Sequence, residues 1–355
     1  MQAAYRPHQT DGDVKKPGKH PPARIKPDVG KSHGQEKKVR FSELEQHQVV
    51  GSGSFGSVRL VRHVHTGHLY ALKAIPKAGI KSMRDVKHVV EERVIQEEVD
   101  HPFCVRLMGA FQDEASLYLL QEWVPGGELL HQLELEPRFK EAKARFYAAN
   151  ILLSLEFLHS KGIVYRDLKP ENLLVDSTGY LKLTDFGLAT ILGKGRTHRV
   201  CGTPCYMAPE VIEEGEMTKA ADYWSLGVLI YEMLIGQPPF TSQNDDYEEV
   251  FELACSGQFH VPGFVSKEAT DIIRGLLQVD PRQRLGSRGA LRIKNHSWFG
   301  GINWDGLKNK RLKPPRRQTK NVLFHGGSET ATANLTHVAR FKWDESLWEW
   351  TSRTN

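Results

Sequence analysis

The chain has 355 residues, 39% hydrophobic and 26% charged, which excludes a small structural module or wholesale disorder and favours two lobes with sizeable cores. The net charge of +5 is concentrated at one end: residues 1–40 carry ten Lys or Arg against four Asp or Glu, so the rest is near neutral and no specific nucleic-acid partner is indicated. No run of 18 apolar residues exists, and the start MQAAYRPHQT has neither a signal-peptide core nor a Gly after Met1, so a membrane span, secretion and myristoylation lack a signal and a cytoplasmic, also nuclear, location is expected.

Residues 1–44, basic, poor in apolar side chains and rich in Pro, Gly and His, are expected to form a disordered tail. From Val49 apolar residues alternate, with a Thr66-Gly67 turn between VRLVRHV and LYALKAI, which predicts successive antiparallel strands. Residues 85–99 carry apolar side chains at helical spacing, and 116–124 (SLYLLQEWV) read as a further strand. After Pro125-Gly126-Gly127 the texture becomes helical, with helices predicted over 140–159, 222–235 and 268–278. This gives a β-rich lobe over 45–124, a helical lobe over 125–298 and an irregular tail over 299–355. Within that tail, residues 308–320 hold seven positive side chains and no acid, which reads as a solvated connection or else a localisation or docking patch. Cys104, Cys201, Cys205 and Cys255 are too few for a disulfide framework and read as reduced thiols, and no second Cys/His pair makes a metal site of Cys201 and Cys205.

The chemistry lies in motifs at fixed order. Val50 leads into Gly51-Ser52-Gly53-Ser54-Phe55-Gly56-Ser57-Val58, whose glycines let backbone N–H groups approach phosphate. The alternation continues as a strand after Val58, where a dinucleotide-binding fold would place a helix. Ala71-Leu72-Lys73 then sets a cation 22 residues beyond Gly51. Tyr165-Arg166-Asp167-Leu168-Lys169-Pro170-Glu171-Asn172 follows a predicted helix, with Asp185-Phe186-Gly187 beginning 13 residues after Asn172, and Ala208-Pro209-Glu210 later. Two acids, a cation and an amide so spaced suit magnesium binding and orientation of a hydroxyl. Five such motifs in this order match the protein-kinase signature set.

On these residues 45–298, about three quarters of the chain, resemble a eukaryotic protein kinase domain of the AGC group, which implies an α+β, two-lobed fold with an antiparallel small lobe. Tyr165 in the catalytic triplet, His101-Pro102-Phe103, Cys201-Gly202-Thr203-Pro204 and a C-terminal aromatic motif are similar to AGC members, and Lys169 to serine/threonine kinases. The resemblance implies ATP and Mg2+ as cofactors. In phosphoryl transfer, positioning and electrostatics supply nearly all the catalysis. Lys73 is thereby implied to hold the α/β-phosphates and pair with a helix glutamate, Lys169 to hold the γ-phosphate, Asp167 to receive the hydroxyl proton, and Asn172 and Asp185 to hold the metal. Glu91 and Glu92 compete as the helix glutamate; the family places an apolar residue four positions on, where Ile95 follows Glu91 and Gln96 follows Glu92, and this favours Glu91. The glycine loop with Ala71, Val124, Leu174 and Thr184 is implied to line the nucleotide pocket, with Glu122 and Val124 at the connecting strand. Glu210 with Arg284, and Asp222, are implied to be architectural.

For substrates, Glu128, Glu171 and Glu232 match carboxylates that receive arginines, and Val200, Pro204 and Met207 an apolar pocket for the following residue, implying Arg-Arg-x-Ser-apolar targets. Leu188 favours serine over threonine. The resemblance also raises a cyclic-nucleotide-binding regulatory subunit acting in trans, since no nucleotide-sensing domain is legible in the chain.

The chain departs from the family pattern in three places. Gln121 stands at the back of the nucleotide pocket where close relatives carry Met, so a buried amide needs a partner. Arg199 occupies the position of the family's regulatory phosphothreonine, where it would face Arg166 as a like charge, with Thr197 a candidate substitute. Residues 325–340 hold one acid where relatives carry an acidic aromatic stretch. Leu347-Trp348-Glu349-Trp350 resembles a motif that docks on the small lobe, with Trp350 the ring expected there and Thr351 at a position phosphorylated in many AGC kinases. The alternative is a catalytically weak kinase-fold scaffold acting through partners, but such chains usually lack one of the residues matching Lys73, Asp167 or Asp185. A metabolic small-molecule kinase would have no use for the 200–210 segment, which resembles a peptide-docking loop.

Overall fold

A computed structural model describes residues 39–315 and Trp348, except 54–55, 193–196, 199–200, 214–215 and 245. Strands β1 (Leu44–Gly53), β2 (Gly56–His63), β3 (Leu69–Pro76), β4 (Leu107–Gln112) and β5 (Ser116–Glu122) form an antiparallel sheet in the order β1-β2-β3-β5-β4. Alternation explains its two faces: Val61, Leu72 and Leu120 pack on one, while Ile75, Leu117 and Leu119 meet a helix on the other. That helix, α1 (Met83–Glu98), begins where the Ser82 hydroxyl accepts the Asp85 N–H. Its buried side chains, Val86, Val89, Glu92, Ile95 and Gln96, recur at steps of three and four from Val86, so they share one stripe.

The second lobe is built around α3 (Glu141–Ser160) and α5 (Lys219–Ile235), after a short α2 (Leu129–Leu135). Between α3 and α5 lie the two-residue β6 (Ile163–Val164), β7 (Leu173–Val175), β8 (Leu181–Leu183), β9 (Thr190–Ile191), β10 (Thr197–His198), α4 (Pro209–Glu213) and β11 (Glu216–Met217). Beyond α5 come α6 (Tyr247–Ser256) and α7 (Lys267–Leu276). Gly236 ends α5 in the left-handed region at φ 102°, where a Cβ would lie 2.8 Å from the Pro137 carbonyl oxygen, so only glycine fits. The predicted strands and helices are all found, with ends displaced by a few residues; β4 and the short strands β6 to β11 are not among them.

The large lobe encloses one continuous core containing Leu152, Leu155, Trp224, Leu229 and Ile273. The bidentate Arg284–Glu210 pair, at 2.7 and 2.8 Å, lies inside it beside the Trp224 ring. Beyond Phe299 the chain holds to this lobe through Lys310, whose ammonium donates to Asp176 at 2.6 Å, and through the Leu312 carbonyl, which accepts the Tyr180 hydroxyl. Among the described residues no helix is long and apolar enough to cross a membrane.

Candidate active site

The glycine-rich segment is the turn of the β1–β2 hairpin, with Gly51 opposite Val58, Ser52 opposite Ser57 and Gly53 opposite Gly56. Gly56 cannot be replaced without strain: its φ is 150° and a Cβ would fall 1.8 Å from the Ala74 carbonyl oxygen. Beneath the hairpin, Val58 faces Lys73 and Ala71 faces Gln121 across the β2–β3 and β3–β5 ladders. Val124 is buried, Leu174 bridges to Glu128, and the Thr184 N–H donates to the Asn172 carbonyl, which brings the expected floor of the pocket beside the catalytic loop. Glu122 accepts from the Arg106 N–H at 2.9 Å and from the Lys182 ammonium, so its carboxylate braces the connection between the lobes.

Lys73 donates to Glu92 at 2.6 Å and to Asp185 at 3.0 Å. The glutamate of this ion pair is therefore Glu92, not Glu91. Helix geometry gives the reason: Glu92 lies three residues after buried Val89 and four before buried Gln96, whereas Glu91 is rotated about 100° away from it. Glu91 instead accepts from the Thr190 hydroxyl at 2.7 Å and the Ile191 N–H at 3.1 Å, tying α1 to β9. Burial acts to lower the Lys73 pKa, but the carboxylates of Glu92 and Asp185 outweigh it and hold the ammonium charged. Burial likewise opposes ionisation of Asp185, and Lys73 overcomes it, so its carboxyl stays below the usual range.

Asp167 is nine-tenths buried, and the bonds it takes leave acceptor capacity on Oδ1. Its Oδ1 accepts from the Thr203 hydroxyl at 2.9 Å, and its Oδ2 accepts from Asn172 Nδ2 at 2.8 Å and lies 3.1 Å from Lys169 Nζ. Lys169 also donates to Thr203 at 3.0 Å, which closes a triangle of acid, ammonium and hydroxyl. In the sequence Thr203 is only part of the Cys201–Pro204 motif; its contact with Asp167 arises because the chain folds back 36 residues later. The loop is held from below by Asp222, which accepts from the N–H groups of Tyr165 and Arg166 at 2.9 Å each and meets His159 at 2.7 Å. Arg166, whose N–H is held by Asp222, has a φ of 72°, and Asp185 has one of 51°, both in the left-handed region that non-glycine residues seldom adopt.

The donor set fits a hard divalent cation. Asp185 takes its bonds from Lys73 and the Gly187 N–H on Oδ1, which leaves Oδ2 unengaged by them. Asn172 Nδ2 donates to both the carbonyl and the carboxylate of Asp167, so the amide oxygen, the atom a hard cation requires, is left unengaged by these bonds. Among the described residues no cluster of three or more His, Cys, Asp or Glu could hold a metal by itself. One carboxylate and one amide oxygen suit an ion that also takes oxygens from a phosphate chain.

Residues 44–299 match the Protein kinase domain family. The chain belongs to that family. It is 45% identical, over 78% of this chain and 42% of the relative, to the cAMP-dependent protein kinase catalytic subunit of Dictyostelium discoideum. It is 43% identical to the human cAMP-dependent protein kinase catalytic subunit PRKX, over 78% of this chain and 76% of that one. With cAMP-dependent protein kinase type 3 of Saccharomyces cerevisiae it shares 40% identity over 78% of this chain and 70% of the relative. The chain spans less than half the length of the Dictyostelium catalytic subunit.

Three carboxylates expected to receive substrate arginines lie near one another, Glu171 acting on both Glu128 and Glu232. Burial raises the Glu128 pKa, with Glu171 adding to it, and burial pushes Glu232 up to about 7 against a lowering hydrogen bond from Tyr206, with Glu171 again raising it. The Tyr206 hydroxyl, a contact not read from the sequence, donates to Glu232. Pro204 opens a short turn ending at Tyr206, and Met207 is buried beside it. The ring seated on the small lobe is Trp348: it is 1% exposed among Ile75, Val86, Val89 and Leu119, and donates to the Phe111 carbonyl at 2.8 Å. Trp350, expected there, lies outside the described residues, as do Ser54, Phe55, Arg199, Val200 and Thr351. Thr197 pairs through its backbone with Met217 in the β10–β11 ladder.

Proposed function

We propose that this chain is a magnesium-dependent protein kinase that transfers the γ-phosphoryl group of ATP to serine, and less readily to threonine, in Arg-Arg-x-Ser-apolar contexts. The observation that carries the reading is the pair of facing constellations, Lys73–Glu92–Asp185 on one wall and Asp167–Lys169–Thr203 on the other. Lys73, held charged, positions the α/β-phosphates, and Asp185 with Asn172 would hold Mg2+, which supplies charge neutralisation for the phosphate chain. Asp167 accepts a hydrogen bond from the substrate hydroxyl and orients it, while Lys169 balances charge on the phosphoryl oxygens. Thr203 couples the two side chains, so their separation is fixed before substrate arrives.

The specificity reading rests on Glu128, Glu171 and Glu232, whose mutual repulsion is relieved by guanidinium groups. Radiolabelled transfer from ATP to an Arg-Arg-x-Ser-Leu peptide, compared with acidic and proline-directed peptides and with sugars and lipids, tests both levels. Preference for a sugar or lipid overturns the protein-kinase assignment, and preference for acidic or proline-directed peptides overturns the specificity. Arg199 in place of a phosphorylatable residue supports a catalytic segment ordered without phosphate there, and the backbone pairing of Thr197 with Met217 is one contact that does so. Loss of activity in Thr197→Ala alone would instead make Thr197 the switch. A cyclic-nucleotide-binding regulatory subunit is the partner suggested by the names of the relatives, and release of a captured partner by cyclic nucleotide tests it. Cytoplasmic and nuclear residence follows from the sequence reading and is tested by imaging the tagged chain.

A further inference from the structure

The polar back wall of the nucleotide pocket has its partner inside the small lobe. Gln121 on β5 sits opposite Ala71, two residues before Lys73, and is buried, as are Gln96 and Glu92 one turn apart on α1. Gln121 Nε2 donates to Gln96 Oε1 at 2.7 Å, Gln96 Nε2 donates to Glu92 Oε1 at 3.1 Å, and the same oxygen accepts from Lys73. The direction of this chain is dictated by its end. A carboxylate only accepts, so Gln96 must turn its amide nitrogen to Glu92, its oxygen then faces Gln121, and Gln121 must present its own nitrogen. In this arrangement Gln121 Nε2 and Gln96 Oε1 are each other's partner.

We propose that Gln96 and Gln121 are a coupled pair of positioning residues that fix Glu92, and through it Lys73, against the nucleotide phosphates. This rests on the kinase reading above. Gln96 occupies the position for which an apolar residue was expected, and Gln121 the position for which Met was expected, so each departure compensates the other. An apolar residue at one position strands a buried amide at the other, while apolar residues at both remove the pair and its polar demand together.

The test is a double-mutant cycle on the full chain with Gln96→Leu, Gln121→Met and the double variant, reading ATP–magnesium affinity by titration calorimetry, separate KM values for ATP and peptide, and melting temperature. Each single variant is expected to raise the KM for ATP about tenfold with the peptide KM unchanged, and the double variant to return to within about threefold of wild type. Losses that multiply in the double variant, or single variants that lower melting temperature and leave ATP binding untouched, overturn the proposal. Where a single variant does not fold, a folded double variant with near wild-type ATP affinity establishes the coupling, and a double variant that also fails to fold refutes it. A wild-type chain that binds no ATP removes the kinase reading, and this proposal with it, before any variant is compared.

Discussion

The two adjacent glutamates of α1 offer a sharp test, because isosteric amides separate their roles. Glu92→Gln removes the negative charge that Lys73 meets at 2.6 Å but keeps the shape and one acceptor oxygen for Lys73 and Gln96. At an effective dielectric of about 20 the bare attraction at that distance is about 6 kcal/mol, most of it offset by desolvation of both groups. A hydrogen bond to a charged group contributes a net ~1.5 to 3 kcal/mol. That corresponds to a fall of about 10- to 150-fold in kcat/KM for ATP. The loss has a second source: Lys73 without Glu92 leans on Asp185, the carboxylate proposed to hold the metal. Glu91→Gln keeps an oxygen able to accept from Thr190 and Ile191 and leaves the Lys73 ion pair with Glu92 intact, so the same quantity should change less than about threefold. Both variants would be assayed by varying ATP at saturating basic peptide, with melting temperature as a control. Equal losses in the two, or the larger loss in Glu91→Gln, refutes the assignment of the ion pair to Glu92.

Asp167→Asn should lower kcat by about 10² to 10⁴ with ATP affinity nearly unchanged, and retention of more than about a tenth of turnover would remove it from the proton-accepting role. Glu232, with its pKa pushed up to about 7 chiefly by burial, is neutral below that pH and ionised above it, so affinity for an arginine-bearing peptide should rise between pH 6 and pH 8, and a flat profile in wild type would exclude the role. For stability the sign is reversed: an acid whose folded pKa is raised favours the fold at low pH and loses that contribution as pH climbs through about 7. Trp348→Ala should cost ~3 to 5 kcal/mol of small-lobe stability and lower activity with it, through the packing against Val86 and Val89 of α1; unchanged melting temperature and activity would contradict that seat.

The sequence alone was sufficient for the two-lobed class and the family, and it marked the glycine loop, Lys73, the Tyr165–Asn172 segment and Asp185 as candidates, because each is a local pattern: periodicity sets strands and helices, and a motif lies within a few residues. Which glutamate faces Lys73 depended on the rotation of α1 against the sheet, a property of packing that the Val86, Val89 and Glu92 spacing hinted at but a single apolar neighbour, Ile95, obscured. The partner of Gln121 lies 25 residues away on another element, and that of Asp167, Thr203, lies 36 residues on, so no local rule reaches them. The same holds for Trp348, 237 residues from the carbonyl it binds: an aromatic cluster announced a docking site, but the carbonyl and the apolar side chains that receive this ring come together only in the folded small lobe. Residue type and spacing thus determined which chemistry is present, and tertiary packing decided which of several equivalent side chains is buried, charged and in reach, because burial and distance, not order along the chain, set the energies involved.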